Sequence, residues 1–164
     1  RDEKELEEAK QLLINQNKLV LGYVGDEGKS RMVNGEAALM VAWAGDAMVM
    51  MEENSDLAYA IPKEGSNYFV DGIVVPQSAK NVDAAYEYIN FLCRPDVAAK
   101  NAEYIGYSTP ISEARELLPE EIKNSEVAYP SEEVTGADNM EMFNDPSDVV
   151  ELYSKIWTEV KSSN

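Results

Sequence analysis

"AALMVAWAGDAMVMM", residues 37–51, changes character in its middle. Its first part, Ala37–Trp43, is continuously apolar, and its length and composition predict a buried strand of a largely parallel sheet. From about Gly45 onward, "AGDAMVMMEEN" predicts a helix. A strand that feeds directly into a helix is the repeating unit of α/β folds. The same stretch holds an indole and a carboxylate three residues apart, Trp43 and Asp46, among small and apolar neighbours.

The pattern continues on both sides. Asp2 to Asn17 reads as a helix, with Leu6, Ala9, Leu12 and Leu13 as its apolar stripe and acids in its first turns, where they suit the helix dipole. "KLVLGYV" reads as a short strand, and "DEGKSRMVNGE" as a turn, a short helix and a glycine-broken loop. "LAYAIP" predicts a strand ended by Pro62, and "KEGSNYFVDGIVVP" a turn followed by a strand from about Tyr68 to Val75. Asp83 to Cys93 is an amphipathic helix with Ala85, Ile89 and Leu92 on one face. "RPDVAAKNAEY" begins the next, with Pro95 suited to its first turn. "STPISEARELL" and "PEEIKN" predict shorter helices. Asn124 to Asp145 reads as a long acidic loop, and about Pro146 to Lys161 as a closing helix with Val149, Leu152, Ile156 and Val160 as its stripe. Strands alternate with helices, so the expected class is α/β.

Composition narrows the function. The formal net charge is −17, with 31 acidic against 14 basic residues, which argues against a nucleic-acid partner. Most of these charges belong to runs such as "RDEKELEEAK", which read as solvated helix faces. No histidine is present, which removes Ser-His and Cys-His catalysis and histidine-based zinc sites. No metal and no cofactor is expected. The single cysteine, Cys93, lies on an apolar helical stripe and reads as a buried, inert thiol. No apolar run approaches the roughly 20 residues that span a bilayer. The first residue is Arg1, and the sequence reads as a piece of something longer.

Three places carry chemistry. Trp43 at the carboxyl end of the predicted strand and Asp46 in the next helical turn lie where open α/β sheets gather ligands. A blander reading also stands: Asp46 caps the helix and Trp43 fills the core. "NYFVDGIVVP" groups Phe69 and Asp71 near a strand start, where an acid is costly unless paired or wet. Asp71 alternatively reaches a backbone N–H at a strand edge. "IGYSTP" places Tyr107 just before a Thr-Pro turn. Carboxylates among aromatic rings suit alkylammonium groups, because ring faces attract cations and carboxylates fix them by charge-assisted hydrogen bonds. A linear diamine or polyamine combines charged ends with an apolar stem. An enzyme using Asp46 and Asp71 as an acid/base pair, and a receptor for another cationic small molecule, are the alternatives.

The stretches "NGEAALMVAWAGDA", "IPKEGSNYFVDGIVVP", "SAKNVDAAYEYINFLCRPDVAAKNAEYIGYSTP" and "AYPSEEV" resemble, in order and spacing, the later half of the spermidine/putrescine-binding proteins of bacterial polyamine ABC transporters. The resemblance implies a partial type II periplasmic-binding-protein fold, a mixed sheet flanked by helices, with a ligand held between two lobes. Residues 1–164 would be the C-terminal portion, with 1–70 and 110–164 mainly in one lobe and 71–109 packing toward the other. Trp43 matches the family's cleft tryptophan, Asp71 its amine-binding aspartate and Tyr107 a cleft tyrosine. Phe69 and Asp46 match the pattern of putrescine-preferring members. Near the family's late cleft glutamine this chain departs and reads "EMFND", with Phe143 at or beside that position. The implied role is extracytoplasmic solute binding without catalysis. The implied partners are a polyamine ligand and an ABC permease, with the receptor either periplasmic or held at the membrane by an anchor or a fused permease. Self-association of this portion alone is a further expectation.

Overall fold

The computed structural model describes residues 2–143 and 147–163. Along these residues run α1 (Glu3–Gln16), α2 (Glu27–Val33), α3 (Ala44–Glu53), β1 (Ser66–Tyr68), α4 (Val82–Leu92), α5 (Pro95–Ile105), α6 (Ser112–Arg115), α7 (Glu120–Lys123), α8 (Glu132–Thr135), β2 (Met140–Met142) and α9 (Val150–Ser162). They fall into two units: Arg1–Glu27 with Phe143–Asn164, and Gly28–Met142.

In the first unit α1 packs against α9. Asp2 starts α1 by accepting the Lys4 N–H at 2.7 Å, which satisfies a backbone donor that the helix itself leaves unpaired. The face that α1 half-buries is Leu6, Lys10, Leu13 and Ile14; Ala9 and Leu12 of the expected stripe are exposed. Lys10 lies on that face because its ammonium reaches Glu7 at 2.6 Å and Glu159 of α9 at 3.0 Å while its stem covers apolar surface. On α9 the expected stripe holds: Val149, Leu152 and Ile156 are half-buried and Val160 is fully buried. Buried Asn17 ties this unit together. It donates to the Val160 carbonyl and the Ser163 hydroxyl, each at 2.7 Å, and accepts from the Tyr23 hydroxyl at 2.6 Å. Tyr23 also meets Trp157 edge-on, with ring centroids 4.7 Å apart.

The second unit has its core where α5 meets α6: Ala98, Ala99 and Ala102 against Ala114 and Leu118, flanked by Ile111, Ile122 and Tyr129. Four alanines let the backbones approach closely. Pro95 occupies the first turn of α5, as expected, and Gly106 ends the helix in the left-handed region at φ 75°, its N–H bonded to the Ala102 carbonyl at 3.0 Å. Gly45, Ala47, Met48 and Met50 are the buried residues of α3. The sheet consists of β1 and β2 in parallel, with Ser66 opposite Met140 and Tyr68 opposite Met142.

Several expected strands do not form. "KLVLGYV" begins as a 3-10 turn, Asn17–Leu19, and continues irregularly. Ala37–Trp43, "LAYAIP" and residues 69–75 lie outside helix and strand, and Leu39 is 92 % exposed. An apolar run becomes a strand only where a neighbouring strand accepts its ladder, and these runs have none among the described residues. The expected loop over 124–145 contains α8 and β2, and its last two residues lie outside the described ones. The closing helix begins at Val150, with Pro146 also outside the described residues. Cys93 is exposed rather than buried: it follows the last turn of α4, a helix whose apolar face is only half-covered.

Candidate functional site

The five singled-out side chains all belong to the second unit, and the structure brings them into one neighbourhood. Trp43 is the N-cap of α3, with extended backbone at φ −69° and ψ 145°, and its carbonyl accepts the Ala47 N–H at 2.9 Å. Trp43 is 49 % exposed, so it is not a core filler. Asp46 sits in the first turn of α3, where the helix dipole favours a negative charge. Its carboxylate accepts a hydrogen bond from the Lys29 ammonium at 3.3 Å.

Phe69 directly follows β1, which fixes where its ring projects. It meets Trp43 edge-on at 4.8 Å between centroids, and Tyr107 edge-on at 6.4 Å. Both are favoured aromatic geometries, and the three rings form a row with Phe69 in the middle. Asp71, two residues beyond Phe69, is exposed.

Tyr107 follows the left-handed Gly106 that ends α5. Its half-buried ring lies directly on Gly45 of α3, so closely that a methyl group there would collide with the ring carbons. Gly45 is therefore the residue that lets the first turn of α3 and the Tyr107 ring share one place. Burial pushes the Tyr107 phenol above its usual range, and the Asp46 carboxylate pushes it further. Lys29 and a hydrogen bond with the Asp46 backbone act the other way, and Asp71 adds a weaker upward push. Both carboxylates thus act electrostatically on the same phenol. The loop after Tyr107 is held by Tyr129, whose hydroxyl accepts the Thr109 N–H at 3.1 Å. The Arg115 guanidinium lies 4.0 Å from the centre of the Tyr129 ring and fixes it in turn.

Sequence reasoning missed Lys29, Gly45 and Tyr129 as determinants of this site. Lys29 and Asp46 are 17 residues apart on different helices, and no local pattern announces such a pair. Among the described residues no group of three or more Asp, Glu or Cys side chains is arranged to hold a metal ion. The arrangement offers flat apolar faces beside two carboxylates, one of them paired with a lysine.

The profile of the bacterial extracellular solute-binding proteins matches residues 2–129. This chain belongs to that family. Among its relatives, the spermidine/putrescine-binding periplasmic protein of Salmonella typhimurium is 34 % identical over 161 residues, which is 98 % of this chain and 46 % of that protein. A putrescine-binding periplasmic protein of Escherichia coli K12 is 30 % identical over 137 residues, 80 % of this chain and 37 % of that protein. A solved structure, the spermidine/putrescine ABC transporter substrate-binding protein of Streptococcus pneumoniae, superimposes with a TM-score of 0.80 at 35 % identity, covering 99 % of this chain and 50 % of that one. This solute-binding family member thus spans about half the length of the relatives it matches. Its fold is the mixed α/β type II periplasmic-binding-protein fold, represented by mostly helical elements and a small parallel sheet. These solute-binding relatives are transport proteins rather than enzymes. No helix among the described residues is long and apolar enough to cross a membrane.

Proposed function

We propose that this chain is the C-terminal portion of a two-lobe receptor that captures a polyamine outside the cytoplasm and delivers it to an ABC permease, without catalysis. The ligand lies along the row Trp43–Phe69–Tyr107, its methylene stem on the ring faces. Asp71 accepts hydrogen bonds from an ammonium end. The chain crosses between lobes near Asp71 and returns near Tyr107, so that the site lies at the seam. The receptor is periplasmic, like the relatives named above, or is tethered at the membrane by an anchor or by fusion to its permease.

One observation carries this reading. Three edge-packed rings, one of them half-exposed, stand beside two carboxylates that both act on Tyr107. Such a surface suits a cation with an apolar stem, since each ring contributes about 0.5–2 kcal/mol to holding an ammonium group. The ligands for which the relatives are named, spermidine and putrescine, point to the same chemistry.

The test is a thermal-shift screen of the complete receptor against putrescine, spermidine, betaine and amino acids. A ligand that binds only the folded state raises the melting temperature with its concentration. The expected outcome is a concentration-dependent rise with putrescine or spermidine. A rise with betaine or an amino acid and none with either polyamine refutes the proposal.

A further inference from the structure

The Lys29–Asp46 pair has no part in the function proposed above, yet it occupies one of that site's two carboxylates. Lys29 lies in the first turn of α2 and Asp46 in the first turn of α3, so the pair joins two separate helices. Both side chains are mostly shielded from water, with 33 % and 25 % of their surfaces exposed. A lysine ammonium on a carboxylate is chemically the same contact that a ligand's alkylammonium end would make. Asp71, by contrast, is exposed and makes no ion pair among the described residues.

We propose that Lys29 is a built-in counter-ion for Asp46 and thereby a specificity-determining residue of the cleft; this rests on the polyamine reading of the site. With Lys29 in place, Asp46, Asp71 and Lys29 sum to one negative charge, and the surface favours a single ammonium at Asp71. A second ammonium reaches Asp46 only by displacing the lysine, which exchanges one cation for another with little gain. Lys29 therefore lowers the advantage of a diamine over a monoamine.

The experiment is titration calorimetry on the complete receptor with two probes of equal chain length, putrescine and 1-aminobutane. Lys29→Met keeps the apolar stem and removes the charge; Lys29→Arg keeps the charge. The expected result is that Lys29→Met binds putrescine about tenfold tighter or more, because Asp46 then becomes available for a charge-assisted bond. Binding of 1-aminobutane changes little, and Lys29→Arg behaves like the parent. The double variant Lys29→Met/Asp46→Asn restores the net charge and returns putrescine affinity to within about threefold of the parent, which assigns the gain to Asp46. If Lys29→Met does not fold, Lys29→Gln serves in the same comparison. Parent receptor that binds putrescine, with no gain on removing the Lys29 charge, overturns this inference alone. Parent receptor with no affinity for putrescine overturns the polyamine reading and this inference with it.

Discussion

Gly45→Ala separates two opposing effects whose sizes are known. Gly45 is the second residue of α3, and alanine there gains up to about 1 kcal/mol of helix propensity. The added methyl, however, points into the Tyr107 ring. The ring has no easy retreat along the backbone, because Gly106 lies against the Gly45 carbonyl: a Cβ on Gly106 would sit 3.0 Å from that oxygen. Overpacking of this kind costs about 1–3 kcal/mol. Even with the full propensity gain, the balance runs from about zero to a net loss of about 2 kcal/mol if the ring holds its place. If the ring moves toward solvent instead, it abandons its edge contact with Phe69, worth about 0.5–1.5 kcal/mol beyond burial, and the site loses its third aromatic wall. Either way the variant is expected to lower the denaturation midpoint or to weaken ligand binding by about tenfold, or both. Chemical denaturation and calorimetry on the complete receptor measure the two. Gly25→Ala is the control, since an added Cβ there meets nothing within 4 Å. A Gly45→Ala receptor that gains the full propensity benefit and binds ligand unchanged would refute the packing argument and the place it gives Tyr107.

Three further outcomes follow from the same structure. Polyamine added to the complete receptor should change tryptophan fluorescence, and Trp43→Leu should abolish most of that change; a response carried by Trp157, which packs on Tyr23 instead, would contradict the site. Asn17→Ala leaves the Tyr23 hydroxyl without its buried acceptor, while the Val160 carbonyl keeps the Ser163 hydroxyl, and should cost about 1–3 kcal/mol in chemical denaturation, whereas no loss would mean that water replaces the amide freely. The 164 residues alone should bind polyamine weakly or not at all and should self-associate in light scattering through exposed apolar side chains such as Leu39, Val41, Val70, Ile73 and Val74; a monomer with micromolar affinity would contradict the two-lobe proposal.

The helices were legible because their signals are local. Acids in the first turns of α1, Pro95 in a first turn, and the stripes of α4 and α9 can be read within a few residues, and the structure has these helices within a residue or two of the expected places, apart from the later start of α9. Strands were not legible, because a strand is a relation between distant segments. Ala37–Trp43 has the composition of a buried strand but finds no ladder among the described residues, whereas the two strands that do form there, Ser66–Tyr68 and Met140–Met142, are only three residues each, too short for their pattern to stand out. The α1 stripe was misread because Lys10 takes an inward place that a polar residue rarely earns without ion partners on two helices. At the site, residue type alone pointed to Trp43, Asp46, Phe69, Asp71 and Tyr107. What shapes their environment did not show: Lys29 acts from another helix, Gly45 acts by lacking a side chain, and Tyr129 acts through a hydrogen bond 20 residues away.

Asp71 bears the central claim most directly, since it is the exposed carboxylate two residues beyond Phe69 and acts electrostatically on Tyr107. Putrescine and spermidine are titrated calorimetrically into the complete receptor and its Asp71→Asn variant. Asparagine keeps the shape and removes the charge, so a lost charge-assisted bond should weaken binding by about 1.5–3 kcal/mol, roughly tenfold to a hundredfold, with the melting temperature of the unliganded protein unchanged. Equal affinity in parent and variant would contradict the account and make the aspartate a structural residue.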